Sequence, residues 1–333
     1  MTYALLLWPH NNQRYEEASL KPAAAELDII LKSAGIHTQS EYRSIAGASA
    51  LVFEAEEITA RQLALISKHS LFYWFGLWQD ERAFIPENIS QNAYLGSELA
   101  AIQKYKGKTN ERFTEQLINL ALYSCRFSEE DETIHLYDPM CGRGTTLFQA
   151  VNREWNATGT DSDKKDILEC AQFFEKYLKF NKLKHKRTQS SRTVQGKNAV
   201  NVHSVRFGGE KGDKYTLNVG CADAMYADKV FGKEAFHIIV SDLPYGVQHA
   251  PNGEKGIKSF EKLLRDCLPA WKQTLKKGGA IALSYNTHTL KTALVREIMG
   301  DFGFDVMQGG AYDRMEHWVE QAVMRDIAVC VKR

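Results

Sequence analysis

Residues 133–146 read TIHLYDPMCGRGTT, and this stretch decides the fold. Thr133–Tyr137 predicts a strand, Asp138–Gly144 a glycine-rich turn, and Thr145–Val151 a helix. A strand that runs straight into such a turn and out into a helix opens a βαβ unit. The helix N-terminus then offers N–H groups to a carboxylate or phosphate. Gly142 and Gly144 let the backbone bend and approach a ligand without a Cβ in the way. No Lys follows the second glycine, which excludes a Walker loop, and the third glycine of the dinucleotide fingerprint is missing.

Beyond this unit, Asn156–Thr160 predicts a strand that ends in acid at Asp161, followed by an amphipathic helix over Ile167–Phe180. Further strands are expected at Leu217–Gly220, Phe236–Ser241 and Ala280–Ser284, with a closing, antiparallel pair at Phe304–Met307 and Ile327–Val331. The alternation implies an α/β, doubly wound, mostly parallel, Rossmann-like sheet, whose ligands lie at the carboxyl ends of the strands. In that frame Asp138, Pro139, Cys141, Gly142, Gly144 and Thr145 form the loop of a cofactor site. Asp161 is placed for two ribose hydroxyls, with Asp163 as its substitute, and Asp223 beside Ala224 for an adenine amino group. Each Asp alone is as readily a cap or a turn former. Three acids at successive strand ends around one glycine turn point to an adenosyl cofactor.

The second chemical signal is SDLPYG at 241–246, after the apolar run FHIIV. An exocyclic amine on an aromatic base is a poor nucleophile, because its lone pair is delocalised into the ring. An enzyme must therefore hold acceptors against its N–H bonds while charge develops. Asp242 supplies one acceptor and the Leu243 carbonyl another, with Pro244 fixing the backbone and Tyr245 offering a ring for an extruded base. Taken in isolation the motif is also a plausible strand-ending turn. Its order downstream of the glycine loop favours catalysis.

The combination DPMCGRGTT, GTDSD and SDLPYG resembles the S-adenosylmethionine-dependent amino-methyltransferases, and within them the THUMP-associated tRNA guanine-N2 methyltransferases. The resemblance covers roughly 100–333, and is to the enzymes acting on guanine at position ten of tRNA. KYKGKTNERFTEQLINLAL is similar to the family's segment before the first strand, which implies that Asn110, Phe113 and Thr114 serve the methionine end of the cofactor. HWVEQAVMRDIAVCVKR resembles its closing strand pair. The resemblance also implies S-adenosyl-L-methionine as cofactor, and a ferredoxin-like fold for a small α/β domain over 1–86. That domain, a candidate for positioning RNA, is read from a strand at Tyr3–Trp8, a helix at Ala23–Leu31, a strand at Leu51–Phe53, a helix at Ile58–Ser67 and a strand at Leu71–Trp78. A polar linker is expected over 87–108 and a methyltransferase domain over 109–333.

Within that domain, 182–214 reads as a basic insertion. Nine basic residues face only Glu210 and Asp213, in a chain of net charge +1. Lys182, Lys184, Lys186, Arg187 and Arg192 are the candidate nucleic-acid contacts, and Thr193–Arg206 alternates like a hairpin arm. A solvated loop made basic for solubility explains the same residues nearly as well. The partner expected is RNA, tRNA first, with any activating subunit unread.

Six scattered cysteines without a CxxC pair, and histidines without partners at useful spacing, point to no metal site. At 44% hydrophobic and 25% charged residues the composition is that of an ordinary globular protein. No apolar run is long enough for a membrane span, and the N-terminus lacks a basic leader, so a cytoplasmic location is expected. Two rival functions stand beside the first: a DNA adenine-N6 or cytosine-N4 methyltransferase, and a non-catalytic RNA- or partner-binding protein that retains the pocket.

Overall fold

The computed structural model describes residues 1–79, 83–89, 94–105, 107–194, 198–244 and 257–333. The N-terminal unit runs β1 (Thr2–Leu7), α1 (Gln13–Ser33), β2 (Glu41–Ile45), β3 (Ala48–Glu54), α2 (Ala60–Ile66), β4 (Phe72–Gln79) and β5 (Ala83–Pro86). Its sheet has the order β2-β3-β1-β4-β5 with every pairing antiparallel. The first four strands and two helices make the βαββαβ arrangement of ferredoxin-like folds. Local chemistry sets the helix ends. Asn12 caps α1 by accepting from the Tyr15 N–H, and Thr59 and Gln62 form a reciprocal capping box on α2. Leu27, Ile30 and Leu31 of α1 then pack on Leu5, Leu51 and Phe75 of the sheet.

The segment expected as a linker is partly structured. It contains a short helix, α3 (Leu99–Ile102), and Leu95, Leu99 and Ala100 are buried. Beyond it come α4 (Glu111–Leu122), β6 (His135–Asp138), α5 (Thr145–Asn152), β7 (Asn156–Asp161) and α6 (Lys164–Phe180). Then follow β8 (His185–Val194), β9 (Asn198–Phe207), β10 (Tyr215–Cys221), α7 (Ala227–Phe231), β11 (Phe236–Asp242) and α8 (Ile257–Thr274). The chain closes with β12 (Leu275–Asn286), α9 (Thr292–Asp301), β13 (Phe304–Val306), β14 (His317–Glu320) and β15 (Val323–Lys332).

The second sheet has the order β13-β15-β12-β11-β6-β7-β10-β9-β8, with β14 also on β15. The five central strands β12, β11, β6, β7 and β10 are parallel. Antiparallel strands flank them on both sides, so the sheet is mixed rather than mostly parallel. Alternate residues of one strand enter different cores. Leu136, Ile238, Val240 and Ala282 pack in a cluster with α4, α5 and α6 residues, whereas Tyr137, Ile239, Ile281 and Leu283 pack with residues of α8 and α9. Helices therefore cover both faces, as a doubly wound sheet requires.

The basic stretch departs from its expectation. It is no separate arm over Thr193–Arg206. β8 and β9 pair from His185↔Phe207 to Val194↔Asn198, and β9 pairs with β10, which makes them the edge of the main sheet. Hydrogen bonding to β10 supplies the pairing that a free hairpin would lack.

The two units are joined by buried polar contacts. Glu26 of α1 is fully buried, and its carboxylate accepts from Asn119 of α4 at 2.6 Å and from Ser70 at 2.9 Å through the N–H and 2.5 Å through the hydroxyl. Arg314 pairs with Asp28. A buried carboxylate left without such donors would be strongly destabilising, so these bonds fix how the units meet. No helix among the described residues is long and apolar enough to cross a membrane.

Candidate active site

The strand order reverses at β6: β7 lies on one side and β11 on the other. Such a switch point opens a crevice at the carboxyl ends of the strands. Asp138 ends β6, Asp161 ends β7 and Asp242 ends β11. Two of the acids read from the cofactor loop and the one read as catalytic thus meet at one crevice.

The glycine loop is tightly bonded. The Cys141 N–H donates to the Thr160 carbonyl at 2.9 Å and the Gly144 N–H to the Cys141 carbonyl at 2.8 Å. Thr160 also donates its hydroxyl to the Pro139 carbonyl. Gly144 is the N-cap of α5 at φ +94°, where a Cβ would lie 2.5 Å from the Cys170 sulfur. Thr145 begins α5 and is buried. Below the loop Asp138 is buried and accepts from the Met140 N–H at 3.0 Å and from the Thr146 hydroxyl. Burial raises its carboxyl to about 7 against those hydrogen bonds.

Asp161 reaches back to the loop. Its carboxylate accepts from the Gly142 N–H and the Asp163 N–H, both at 2.9 Å, and burial raises its pKa. Asp163, the substitute considered for it, is exposed and caps α6 through the Lys165 and Asp166 N–H groups. Asp223 lies just beyond β10, is exposed, and caps a short 3-10 turn through the Met225 N–H. Ala224 beside it is buried, its carbonyl accepting from the Trp271 indole at 3.1 Å.

Across the switch point, the Thr109 hydroxyl donates to Asp242 at 2.7 Å. Arg325 of β15, only 4% exposed, stands 4.0 Å from the same carboxylate oxygen. Leu243 is buried and its N–H donates to the Ser284 carbonyl at 2.9 Å, so β12 anchors the residue after Asp242. Pro244 is half-buried. Tyr245, together with Gly246, lies outside the described residues.

The chain before β6 links the two halves. The Tyr105 hydroxyl lies 3.2 Å from that of Thr145, and Thr109 holds Asp242. Asn110 caps α4, accepting from the Arg112 and Phe113 N–H groups, and Thr114 donates to the Asn110 carbonyl. Phe113 has the Arg325 guanidinium 3.9 Å over its ring and His317 5.4 Å away. Burial, aided by Arg325, lowers His317 to about 4, which keeps it neutral. Tyr15 of α1 also reaches this region: burial raises its hydroxyl, with Arg325 and Asp242 as its charged neighbours.

Tyr105, Thr109, Tyr15 and Arg325 escaped the sequence reading. Arg325 alone left a signal, as an arginine inside the apolar run of a closing strand.

The basic candidates lie apart from this crevice, on and before β8. Arg187 pairs with Glu175 of α6 at 2.5 Å, and Lys186 with Asp213 at 2.9 Å. Lys184 donates to the Glu210 carbonyl, Arg192 to that of Val230, and Lys182 is exposed in a left-handed turn. Folding therefore sets Glu175, outside the basic stretch on α6, against the local positive excess.

A family model described as UPF0020, RMKL-like, methyltransferase domain, matches residues 117–309. Among solved structures, the chain aligns with TrmN from Thermus thermophilus at 15% identity and a TM-score of 0.42, over 91% of this chain and 64% of TrmN, less than two thirds of its length. The rRNA methyltransferase aviRa from Streptomyces viridochromogenes aligns at 13% identity and a TM-score of 0.38, over 71% of this chain and 92% of that one. The magnesium protoporphyrin IX methyltransferase of Synechocystis, solved with SAM bound, gives 13% and 0.38 over 69% and 87%. No curated protein matches the chain in sequence.

Proposed function

Because this chain belongs to the RMKL-like methyltransferase domain family, matched over more than half its length, we propose that it methylates the exocyclic N2 of guanine in RNA, with tRNA the first candidate. S-adenosyl-L-methionine is the cofactor of the domain, and its sulfonium supplies an electrophilic methyl when bound.

The residues of the crevice suit that cofactor. Gly142 at φ +49° has open space on its Cβ side, where a ligand can approach the loop. Asp138 and Asp161 offer carboxyl oxygens to amino and hydroxyl donors, and exposed Asp223 does so just beyond β10. In this reading Asp138, Pro139, Cys141, Gly142, Gly144, Thr145, Asp161, Asp223 and Ala224 hold the cofactor. Asn110, Phe113 and Thr114 shape the segment against its methionine end.

The observation that carries the catalytic assignment is the placement of Asp242 beside Asp138, on neighbouring strands at the switch point, with its carboxylate bonded to Thr109. Asp242 accepts a hydrogen bond from the amine N–H and takes the proton that the nitrogen sheds once methylated. The Leu243 carbonyl is the second acceptor, and the Ser284 bond holds that residue in place. Pro244 limits the backbone, and Tyr245 supplies the stacking ring. Thr109 fixes the Asp242 rotamer, so that little reorganisation is needed as charge develops.

Incubation with methyl-labelled cofactor and separate tRNA, rRNA and duplex DNA pools tests the proposal. Label recovered as N2-methylguanosine supports it. Label only in DNA would transfer the assignment to an adenine-N6 or cytosine-N4 enzyme, and cofactor binding without any transfer would favour a non-catalytic binding protein.

A further inference from the structure

Between the N-terminal unit and α4 lies a cavity of about 310 Å³ whose wall shares Asn110 and Phe113 with the segment assigned to the methionine end and includes none of the glycine-loop residues. Trp8, His10, Tyr15, Arg112, Phe113 and His317 are on its wall, five aromatic rings and one cation. Among the described residues Asp242 is not part of that wall, yet it is a charged neighbour of both Tyr15 and His317. The cavity is thus next to the reacting centre without being the place where the reacting base sits.

Its rings are held from outside. The Arg112 guanidinium lies 4.1 Å over Trp8 and donates to the Ser70 carbonyl, while Tyr73 packs edge-on against Trp8 at 5.0 Å. His10 and Tyr15 are 4.7 Å apart, and Phe113 is backed by Arg325. The Glu26–Asn119 and Asp28–Arg314 contacts pin the two walls together, so the cavity is preformed. Its two acids are engaged inside the protein: Glu16 accepts from the His10 N–H and the Ser49 hydroxyl, and Glu111 from Lys108.

Outside, the aromatic surface continues. Trp8 is 45% exposed, Tyr73 44% and Trp74 49%. Large rings clustered in water are a liability unless something stacks on them, and aromatic side chains interleaved with arginine make the platform that unpaired nucleotides occupy.

We propose that this cavity holds an unpaired nucleotide of the RNA substrate, adjacent to the one modified, with its base stacked on Trp8 and its phosphate side toward Arg112. The inference rests on the RNA reading above. It assigns the N-terminal unit a direct part in substrate binding.

The test uses the full chain and unmodified tRNA transcripts, with KM for RNA, kcat and cofactor affinity measured for wild type, Trp8→Ala and Trp8→Phe. Trp8→Ala is expected to raise the RNA KM about tenfold or more, leaving calorimetric cofactor affinity unchanged, and Trp8→Phe to recover most of the loss. Intact cofactor binding shows that the variants fold. An unchanged KM in Trp8→Ala, with wild type active on RNA, would overturn the cavity assignment while the function stands. A wild type that methylates no RNA would overturn the function, and the cavity assignment with it.

Discussion

Thr109 and Asp242 are 133 residues apart in sequence, and the Thr109 hydroxyl donates to the Asp242 carboxylate at 2.7 Å. The segment that carries Thr109 also carries Tyr105, which touches the first residue of the glycine-loop helix. One strap of chain therefore touches both the helix that follows the glycine loop and Asp242, the proposed acceptor for the amine. Thr109→Val keeps the shape and removes the donor. It is expected to lower kcat about tenfold, on the scale of one lost hydrogen bond to a charged group, with cofactor affinity and melting temperature close to wild type. Steady-state kinetics and calorimetry check it. An unchanged kcat would remove Thr109 from the positioning role.

The glycine loop makes a graded stability prediction. A Cβ at Gly144 meets both a left-handed backbone and the Cys170 sulfur, whereas one at Gly142 meets only the backbone term. Gly142→Ala should cost about 1 kcal/mol, and Gly144→Ala about 2–4 kcal/mol. Denaturant titrations that rank the two in the reverse order would contradict the packing described.

Asp138 links stability to pH. Its carboxyl is raised from 3.8 to about 7 in the folded protein, mainly by burial. Between these values the folded state holds a proton that the unfolded state has released, so stability falls as pH rises through that window, by up to about 1.4 kcal/mol per pH unit. Below 3.8 and above about 7 the contribution is flat. Unfolding free energies from pH 4 to 8 should therefore decline for wild type relative to Asp138→Asn. A constant difference between the two would contradict the buried, protonated state.

The basic edge strand separates cations by what they already hold. Arg187 is bonded to Glu175 and Arg192 to the Val230 carbonyl, whereas Lys182 is exposed and Lys186, 56% exposed, holds only a surface pair with Asp213. If RNA lies along β8, Lys182→Ala with Lys186→Ala should flatten the salt dependence of RNA binding by about one to two units of slope. Arg192→Ala should act mainly on stability. A salt slope unmoved by the lysine pair, followed by fluorescence anisotropy, would take β8 out of the interface.

The elements legible in the sequence are those set by local pattern. β6, the glycine turn and α5 come from consecutive residues, and the apolar strand β11 ends at Asp242 as the run FHIIV suggests. β2 was not legible because its burial pattern is almost wholly exposed, with no apolar alternation to mark it. α8 carries Pro269 within it and α9 starts without a capping side-chain hydrogen bond, so neither shows the usual helix signals. The edge position of β8 and β9 is a pairing with β10, which no local pattern encodes. The site divides the same way. Asp138, Asp161 and Asp242 end strands; Asp138 and Asp242 are visible as acids after the runs IHLY and FHIIVS, and Asp161 as the acid that closes the strand NATGT. Thr109 and Arg325 act on Asp242 only through tertiary contact, and Asn110 was read for the cofactor although its side chain caps α4.

In the proposed reaction the Asp242 carboxylate receives the amine while the neighbouring loop holds the methyl donor. Methyl transfer to RNA by Asp242→Ala, measured beside its calorimetric affinity for S-adenosyl-L-methionine, tests it most directly. The expected rate is lower by about 100-fold or more, with cofactor affinity within about twofold of wild type. Transfer at the wild-type rate, or loss of cofactor binding together with activity, would contradict it.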